Sequence, residues 1–129
     1  MPIAIVTIVV DASAIAAVIF DEEASQHVQR RLANQALAAP TLLAFEVANA
    51  CVVRERRHGR ERLSAMTSYS IFLGWNIAMV PVSEHQVVAL ALMTGLTAYD
   101  ASYLWLARRL GCELVTLDQR LQAAASAIP

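Results

Sequence analysis

Residues 3–20 read IAIVTIVVDASAIAAVIF, and this stretch decides the fold class. The uncharged, β-branched run Ile3–Val10 predicts a strand buried on both faces, which is typical of a parallel sheet covered on two sides. Asp11 ends the run, and the alanine-rich segment Ala12–Phe20 predicts a short helix. A membrane span would place Asp11 inside the bilayer at a cost of roughly 2.5–3.5 kcal/mol. The stretch also lacks the basic start of a secretory signal, so we expect a soluble, cytoplasmic chain.

The rest of the chain alternates helices with two further strands. In chain order, the predicted elements are a helix capped by Asp21 and running to about Ala38, a helix over about Thr41–His58, a helix over about Arg60–Leu73, a strand over Ile77–Val82, a helix opened by Ser83 and closed at Gly95, a helix over Ala98–Leu110 capped by Thr97, a strand over Glu113–Leu117 and a last helix capped by Asp118. Strands joined by helical crossovers predict a single α/β domain, residues 1–129, with a mainly parallel sheet flanked by helices.

The composition of the 129 residues excludes several classes of protein. Apolar residues make up 57% and charged residues 16%, which excludes intrinsic disorder. All ten basic residues are arginine, so phosphate-binding loops and lysine-dependent catalysis are excluded. The four glycines are too far apart for a dinucleotide-binding loop or a serine nucleophile elbow. The two cysteines and three histidines lack zinc-site spacing. Carboxylates, hydroxyls and arginines remain as candidates for chemistry.

Four carboxylates occupy positions where solvated charges are not expected. Asp11 and Asp118 directly follow strands, and ligands of open parallel sheets bind beyond the carboxyl ends of strands. Glu46 is the only charge in residues 41–53, and Asp100 is the only formal charge between Glu84 and Arg108. The alternative is that each acts separately as a helix cap or a rim residue; it is stronger for Asp100 and Asp118 than for Glu46, which has no basic neighbour within seven residues.

If these four carboxylates meet, their mutual repulsion calls for a cation. Each pair at about 4 Å repels by roughly 4 kcal/mol at an effective dielectric constant of 20. Oxygen ligands select hard ions, Mg²⁺ or Mn²⁺, and such an ion activates water for attack on a phosphodiester. The ten arginines against the seven remaining acidic residues would leave a mildly basic body around an acidic pocket. The residues therefore predict metal-assisted phosphodiester hydrolysis.

Four blocks carry a resemblance to a known family. They are VVDASAI at 9–15, TLLAFEVANA at 41–50, LTAYDASYLWLARRLG at 96–111 and LVTLDQRL at 114–121. Together, and in this order, they resemble the PIN-domain ribonucleases, and within these the VapC-type toxins of toxin–antitoxin pairs. The resemblance implies a three-layer α/β fold and an Mg²⁺- or Mn²⁺-dependent endoribonuclease whose metal-binding, catalytic quartet is Asp11, Glu46, Asp100 and Asp118.

The same resemblance implies supporting residues beside the quartet. Ser13 and Thr116 would be polar neighbours of the metal, and Thr116 points to the same side as Asp118 near the strand end because the two are two residues apart. Asn49 lies three residues after Glu46 and therefore on the same helix face, although a solvent-facing amide is an equal alternative.

Arginine and apolar surface indicate partners. Residues 54–62, RERRHGRER, carry a local charge of +3, and Arg54, Arg57 and Arg60 could contact the RNA backbone; the alternative is a solvated helix end. Met66 and the aromatic residues of segments 69–75 and 99–105 are expected to pack in the core. A mean hydropathy of +0.49 is high for this length, which favours interfaces. The resemblance supplies two partners besides RNA: a second copy of the chain, giving a homodimer, and a VapB-like antitoxin that offers an arginine to the acidic pocket.

Two other functions stay open at this stage. One is a non-catalytic PIN-like module that binds RNA or a protein without cutting. The other is a nuclease that acts on DNA with the same metal-dependent chemistry.

Overall fold

The computed structural model describes residues 6–59 and 63–127, which contain four strands and seven helices. The strands are β1 (Thr7–Val10), β2 (Ala36–Pro40), β3 (Ile77–Val80) and β4 (Glu113–Val115). The helices are α1 (Ala12–Ile19), α2 (Ser25–Leu32), α3 (Leu43–His58), α4 (Ala65–Leu73), α5 (Glu84–Thr94), α6 (Ala98–Leu110) and α7 (Gln119–Ser126).

The four strands form one parallel sheet in the order β3-β2-β1-β4. In chain order, β2 pairs with one side of β1, β3 pairs with the free side of β2, and β4 pairs with the other side of β1. The strand order therefore reverses between β1 and β4, and ligands bind at such a switch point in open α/β sheets. In the register, Val10 lies opposite Val115, so the residues that follow the two strands emerge side by side.

The sheet is covered on both faces, as the sequence predicts. Ile8, Val9 and Val10 are successive residues of β1 and all are buried, although their side chains alternate between the two faces. Helix α6 packs against β1, β2 and β4, while α1 to α4 pack on one another. The prediction of an α/β fold with a parallel sheet flanked by helices is confirmed.

Several helix boundaries are confirmed by their capping contacts. The hydroxyls of Ser83 and Thr97 accept hydrogen bonds from the third residue of the helix that follows each of them, and the Asp118 carboxylate does the same at α7. Gly95 and Gly111 end α5 and α6 in the left-handed conformation, which glycine adopts without steric cost.

The predicted helix from Asp21 to about Ala38 is wrong in its second half. Helix α2 ends at Leu32, the backbone turns through Asn34 at a φ of 61°, and Ala36–Pro40 forms β2. Alanine favours helix by only a few tenths of a kcal/mol over most residues. Pairing of this segment with β1 on one side and β3 on the other outweighs that preference.

Other boundaries also differ from the prediction. Asp21 does not cap α2: it lies in a turn with a φ of 52°, and the residue that precedes α2 is Ala24, which makes no side-chain cap. Strands β3 and β4 end two residues earlier than predicted. The parts of the predictions that fall on residues 1–5 and 60–62 lie outside the described residues. In the described part of the chain, no helix by itself has the length and apolar character needed to cross a bilayer.

Strand β2 gives a direct test of the corrected topology. Ala39 is fully buried, so Ala39→Leu should overpack the core and lower the free energy of unfolding by about 1–3 kcal/mol. Ala36 belongs to the same strand but is exposed, and Ala36→Leu should change it by less than about 0.5 kcal/mol. Urea unfolding of both variants measures the difference; equal stability would contradict the burial of β2.

Candidate active site

Asp11 stands at the end of β1 and is held from three sides. Its backbone N–H continues the ladder by donating to the Val115 carbonyl, and its side chain is only 5% exposed. Oδ1 accepts hydrogen bonds from the Ser13 hydroxyl at 2.7 Å and from the Ala14 N–H at 3.1 Å. Oδ2 accepts a hydrogen bond from the Thr116 hydroxyl at 2.6 Å. Asp11 is thus both the N-cap of α1 and a fixed, buried carboxylate.

Ser13 and Thr116 connect this carboxylate to the end of β4. The Thr116 hydroxyl, which donates to Asp11, accepts a hydrogen bond from the Asp118 N–H at 3.0 Å. The Ser13 hydroxyl, which also donates to Asp11, accepts one from the Leu117 N–H at 2.9 Å. The two hydroxyls therefore connect the turn after β4 to Asp11; their role beside a metal stays a prediction.

Asp118 and Asp100 are each anchored at the start of a helix. Asp118 Oδ1 accepts a hydrogen bond from the Leu121 N–H at 2.9 Å and caps α7. Asp100 is the third residue of α6, where its own N–H donates to the Thr97 hydroxyl. Arg120, on α7, donates a hydrogen bond to the Gly95 carbonyl and lies close enough to Asp100 to lower the pKa of its carboxyl. Arg120 is therefore a cation at the edge of this group of carboxylates.

Glu46 lies in the first turn of α3 and is held by a tyrosine of α6. The Tyr103 hydroxyl donates to Glu46 Oε1 at 2.5 Å, and Tyr103 itself is 1% exposed. Burial, followed by the hydrogen bond to Glu46 and the charge of Glu46, raises the Tyr103 pKa, so the phenol stays protonated and remains a donor. Tyr103 thereby fixes one oxygen of a half-buried carboxylate.

The charges of the four carboxylates act on one another, as their effects on the pKa values show. Burial is the main cause that raises the pKa of Asp11, Glu46 and Asp100. Coulombic repulsion adds to it: Asp118 acts on Asp11, the charges of Asp100 and Asp11 act on Glu46, and those of Asp118 and Asp11 act on Asp100. Residues that are far apart in the sequence are therefore near enough for their charges to interact, and we refer to this group, Asp11, Glu46, Asp100 and Asp118, as the acidic pocket.

The donor set fits a hard divalent cation. All four side chains offer carboxylate oxygens, and a cation would relieve the repulsion that helps to raise the pKa of Asp11, Glu46 and Asp100. In residues 6–59 and 63–127, however, no three acidic, histidine or cysteine side chains are arranged to hold one ion as they stand. Asp11 already accepts three hydrogen bonds and Asp118 accepts one from its own helix, so coordination would require these side chains to rearrange. The assignment of these residues as metal ligands stays a prediction.

Asn49 lies beside Glu46, whereas Arg54 and Arg57 lie beside Phe20. Asn49 is exposed and lines the same surface groove as Glu46, in agreement with their shared helix face. The Arg54 guanidinium lies 4.7 Å from the centre of the Phe20 ring, at the far end of α1 from Asp11. Arg57 and Phe20 line the same surface groove. Arg60 lies outside the described residues. RNA contact by these arginines stays a prediction, and Arg54 has an alternative role in packing.

The sequence did not predict that Tyr103 and Arg120 belong to the site, and it predicted burial for two residues that are exposed. Tyr103 and Phe72 are buried, but the expectation of core packing is wrong for Tyr99 and Met66, which are 66% and 80% exposed. Tyr103 was expected only to pack, and its contact with Glu46 joins residues 57 positions apart, which no local pattern reveals. For Arg120, the sequence offered one signal that it belongs to the site: it follows Asp118 by two residues.

Comparison with known proteins finds a family model and a related ribonuclease that each match most of the chain. The sequence model of the PIN domain matches residues 8–127. Ribonuclease VapC3 of Pyrobaculum aerophilum is 37% identical over 119 residues, which cover 88% of this chain and 91% of that protein.

Two crystal structures share the architecture. PAE2754 from Pyrobaculum aerophilum gives a TM-score of 0.74 at 29% identity, covering 95% of this chain and 88% of that chain. Mycobacterium tuberculosis VapC20, described as a sarcin-ricin loop cleaving toxin, gives a TM-score of 0.69 and covers 95% of this chain and 99% of that chain. Its identity of 19% shows a common fold and nothing further.

The crowding of carboxylates predicts a stability cost at neutral pH. A carboxyl whose pKa is raised on folding favours the folded state when protonated, and this contribution is lost as the pH rises through the folded pKa. With a chelator present at pH 7, Asp100→Asn should therefore raise the melting temperature, by about 1–3 °C. Calorimetry checks this, with the exposed first-turn Glu84→Gln of α5 as control. A lower melting temperature for Asp100→Asn would contradict the shared pocket.

Proposed function

The chain belongs to the PIN-domain family, and from this membership we propose that it is a VapC-type toxin, an endoribonuclease that hydrolyses RNA phosphodiester bonds with Mg²⁺ or Mn²⁺. One observation carries the proposal: carboxylates from four separate elements interact electrostatically around the switch point between β1 and β4. The oxygen donors of these four carboxylates suit the metal that such hydrolysis needs.

The residues of the pocket have two proposed roles: the carboxylates bind the metal ion, and their neighbours orient the carboxylates. Asp11, Glu46, Asp100 and Asp118 would bind the metal. When bound, such an ion lowers the pKa of a coordinated water and counters the charge that develops on the phosphoryl group. Ser13 and Thr116 keep Asp11 oriented, and Tyr103 keeps Glu46 oriented. Arg120 adds a positive charge at the rim, where a phosphate would approach.

The toxin assignment implies a VapB-like antitoxin as partner and RNA as substrate. An anionic pocket without a basic residue among its four carboxylates suits a cationic group of the inhibitor, and arginine fits carboxylates in a two-point geometry. We also propose a homodimer, which would cover apolar residues that α5 leaves in solvent, Val88, Leu92 and Met93. A cytoplasmic location accords with two free cysteines and with access to cellular RNA.

Metal dependence and the role of Asp11 are tested together. Purified free of antitoxin, the protein should cleave single-stranded RNA with Mg²⁺ or Mn²⁺ and stop when a chelator is added. Asp11→Asn should lower kcat by more than about 100-fold. Asparagine still caps a helix, so the fold should survive. Cleavage is followed on labelled RNA by gel electrophoresis, with circular dichroism to confirm folding.

The control and the competing functions give distinct results. Glu84→Gln removes an exposed carboxylate far along the sequence from the pocket and should leave the rate within about twofold of wild type. Full activity in Asp11→Asn would refute the assignment. RNA binding of equal affinity with and without metal, and without products, would favour the non-catalytic module. Preference for DNA in a mixed-substrate assay would favour the DNA nuclease.

The contact between Tyr103 and Glu46 gives a separate prediction. Tyr103→Phe removes only the hydroxyl that fixes Glu46 Oε1, so metal affinity or cleavage should fall by about 10- to 100-fold, as is usual for residues that orient a metal ligand. The metal concentration needed for half-maximal cleavage measures this. Tyr69→Phe is the matched control, because Tyr69 contacts Phe72 and lies outside the pocket. An unchanged metal requirement in Tyr103→Phe would exclude Glu46 as a ligand held in this way.

A further inference from the structure

A groove of about 390 Å³ opens beside Glu46 and contains two solvent-exposed aromatic rings. Its lining residues are Ala12, Leu42, Phe45, Glu46, Asn49 and Tyr99. Phe45 is 82% exposed and Tyr99 is 66% exposed, although each ring could bury a large apolar surface. The volume is within the usual range for small-molecule sites, about 300–1,000 Å³. These two rings are not used by the core of the described chain, and because they line one groove together they are available to a ligand.

Each ring directly precedes a carboxylate of the site. Phe45 comes before Glu46 in α3, and Tyr99 comes before Asp100 in α6. Successive residues of a helix point about 100° apart, so a ring and its neighbouring carboxylate emerge on adjacent faces. Two different helices therefore place an aromatic ring next to a carboxylate side chain. Both rings line one groove, which Glu46 also lines.

The chemistry of the groove excludes some occupants. Glu46 is its only charged lining residue, so a phosphate would be repelled there. The other lining residues are neutral, and they combine two aromatic faces with one amide, that of Asn49. A flat, neutral, aromatic group with hydrogen-bonding edges matches this lining, since it can stack on a ring and bind an amide through its edge.

We propose that Phe45 and Tyr99 form a nucleobase subsite, in which the rings stack on unpaired bases next to the phosphate that is cut at the carboxylates. The inference rests on the proposed ribonuclease function and narrows its substrate to single-stranded or loop RNA, because bases inside a duplex cannot reach a ring. Stacking on aromatic side chains tolerates any base. The rings therefore bind and position the strand, and Asn49 is placed to contact a base edge.

Steady-state cleavage of a single-stranded RNA tests the subsite. Phe45→Ala and Tyr99→Ala should each raise KM by about 5- to 150-fold, the range for loss of one stacked base, with kcat little changed. Phe45→Tyr and Tyr99→Phe keep the rings and should stay within about twofold of wild type. Phe45→Leu keeps apolar surface without a ring and should behave like Phe45→Ala. Met66→Ala, which removes an equally exposed apolar side chain from α4, is the control for surface changes.

Binding without cleavage supplies an independent readout. With Ca²⁺ replacing Mg²⁺, fluorescence anisotropy compares a labelled uridine oligonucleotide with an abasic ribose-phosphate oligomer of the same length. Wild type should bind the oligonucleotide more tightly, by about 5-fold or more, and Phe45→Ala should lose most of this preference.

The outcomes separate the subsite from the proposed function. If wild type cuts RNA and the alanine variants keep its KM, the subsite is wrong and the ribonuclease assignment stands. If wild type does not cut RNA but prefers the oligonucleotide in a ring-dependent way, the subsite stands and the assignment falls. If Phe45→Leu restores wild-type behaviour, or if the variants lose only their affinity for the antitoxin or for a second copy, the groove holds a protein segment and the subsite is refuted.

Discussion

The parallel pairing of β4 with β1 is the constraint on which the site depends. This pairing sets Val10 opposite Val115, so Asp11 and Thr116 leave the sheet as neighbours. The hydroxyl of Thr116 then reaches both Asp11 and the N–H of Asp118. A shift of one residue in the register would send the Thr116 side chain to the other face of the sheet and break both contacts. Of the remaining carboxylates, Asp100 lies on α6, which packs against β1, and Glu46 lies on α3, which packs against α1 and is joined to α6 by the Tyr103 hydrogen bond.

The carboxylates are kept together at the expense of stability. Burial and mutual repulsion raise the pKa of three of them, so the ionised pocket opposes folding at neutral pH. The core compensates through residues such as Ile15, Leu43 and Leu104, which are almost completely buried. Function thus requires a destabilised site on a well-packed scaffold, which is a common compromise in enzymes.

Sequence and structure agree wherever a local pattern determines the outcome. The buried strand before Asp11, the caps at Ser83 and Thr97, and the isolation of Glu46 in an apolar helix are all local signals, and all predicted the observed positions. Strand β2 was missed because ALAAP has helical propensity, and only its pairing with β1 and β3 makes it a strand. Tyr103 was missed because a buried tyrosine has the same local pattern whether or not its hydroxyl contacts a carboxylate. Long-range contacts were therefore the part that the sequence could not supply.

In this fold, a carboxylate can cap or begin a helix and still interact with the other carboxylates of the group. Asp11 and Asp118 are the N-caps of α1 and α7, and Asp100 and Glu46 lie in the first turns of α6 and α3. The positive ends of four helix dipoles therefore point toward the pocket, each contributing about 0.3–1 kcal/mol to a nearby negative charge. This field offsets part of the repulsion, and Arg120 contributes further by lowering the pKa of Asp100. The same helix ends also occupy carboxylate oxygens: the N–H groups of Ala14 and Leu121 donate to Oδ1 of Asp11 and to Oδ1 of Asp118, so a bound cation would have to compete with the helix caps.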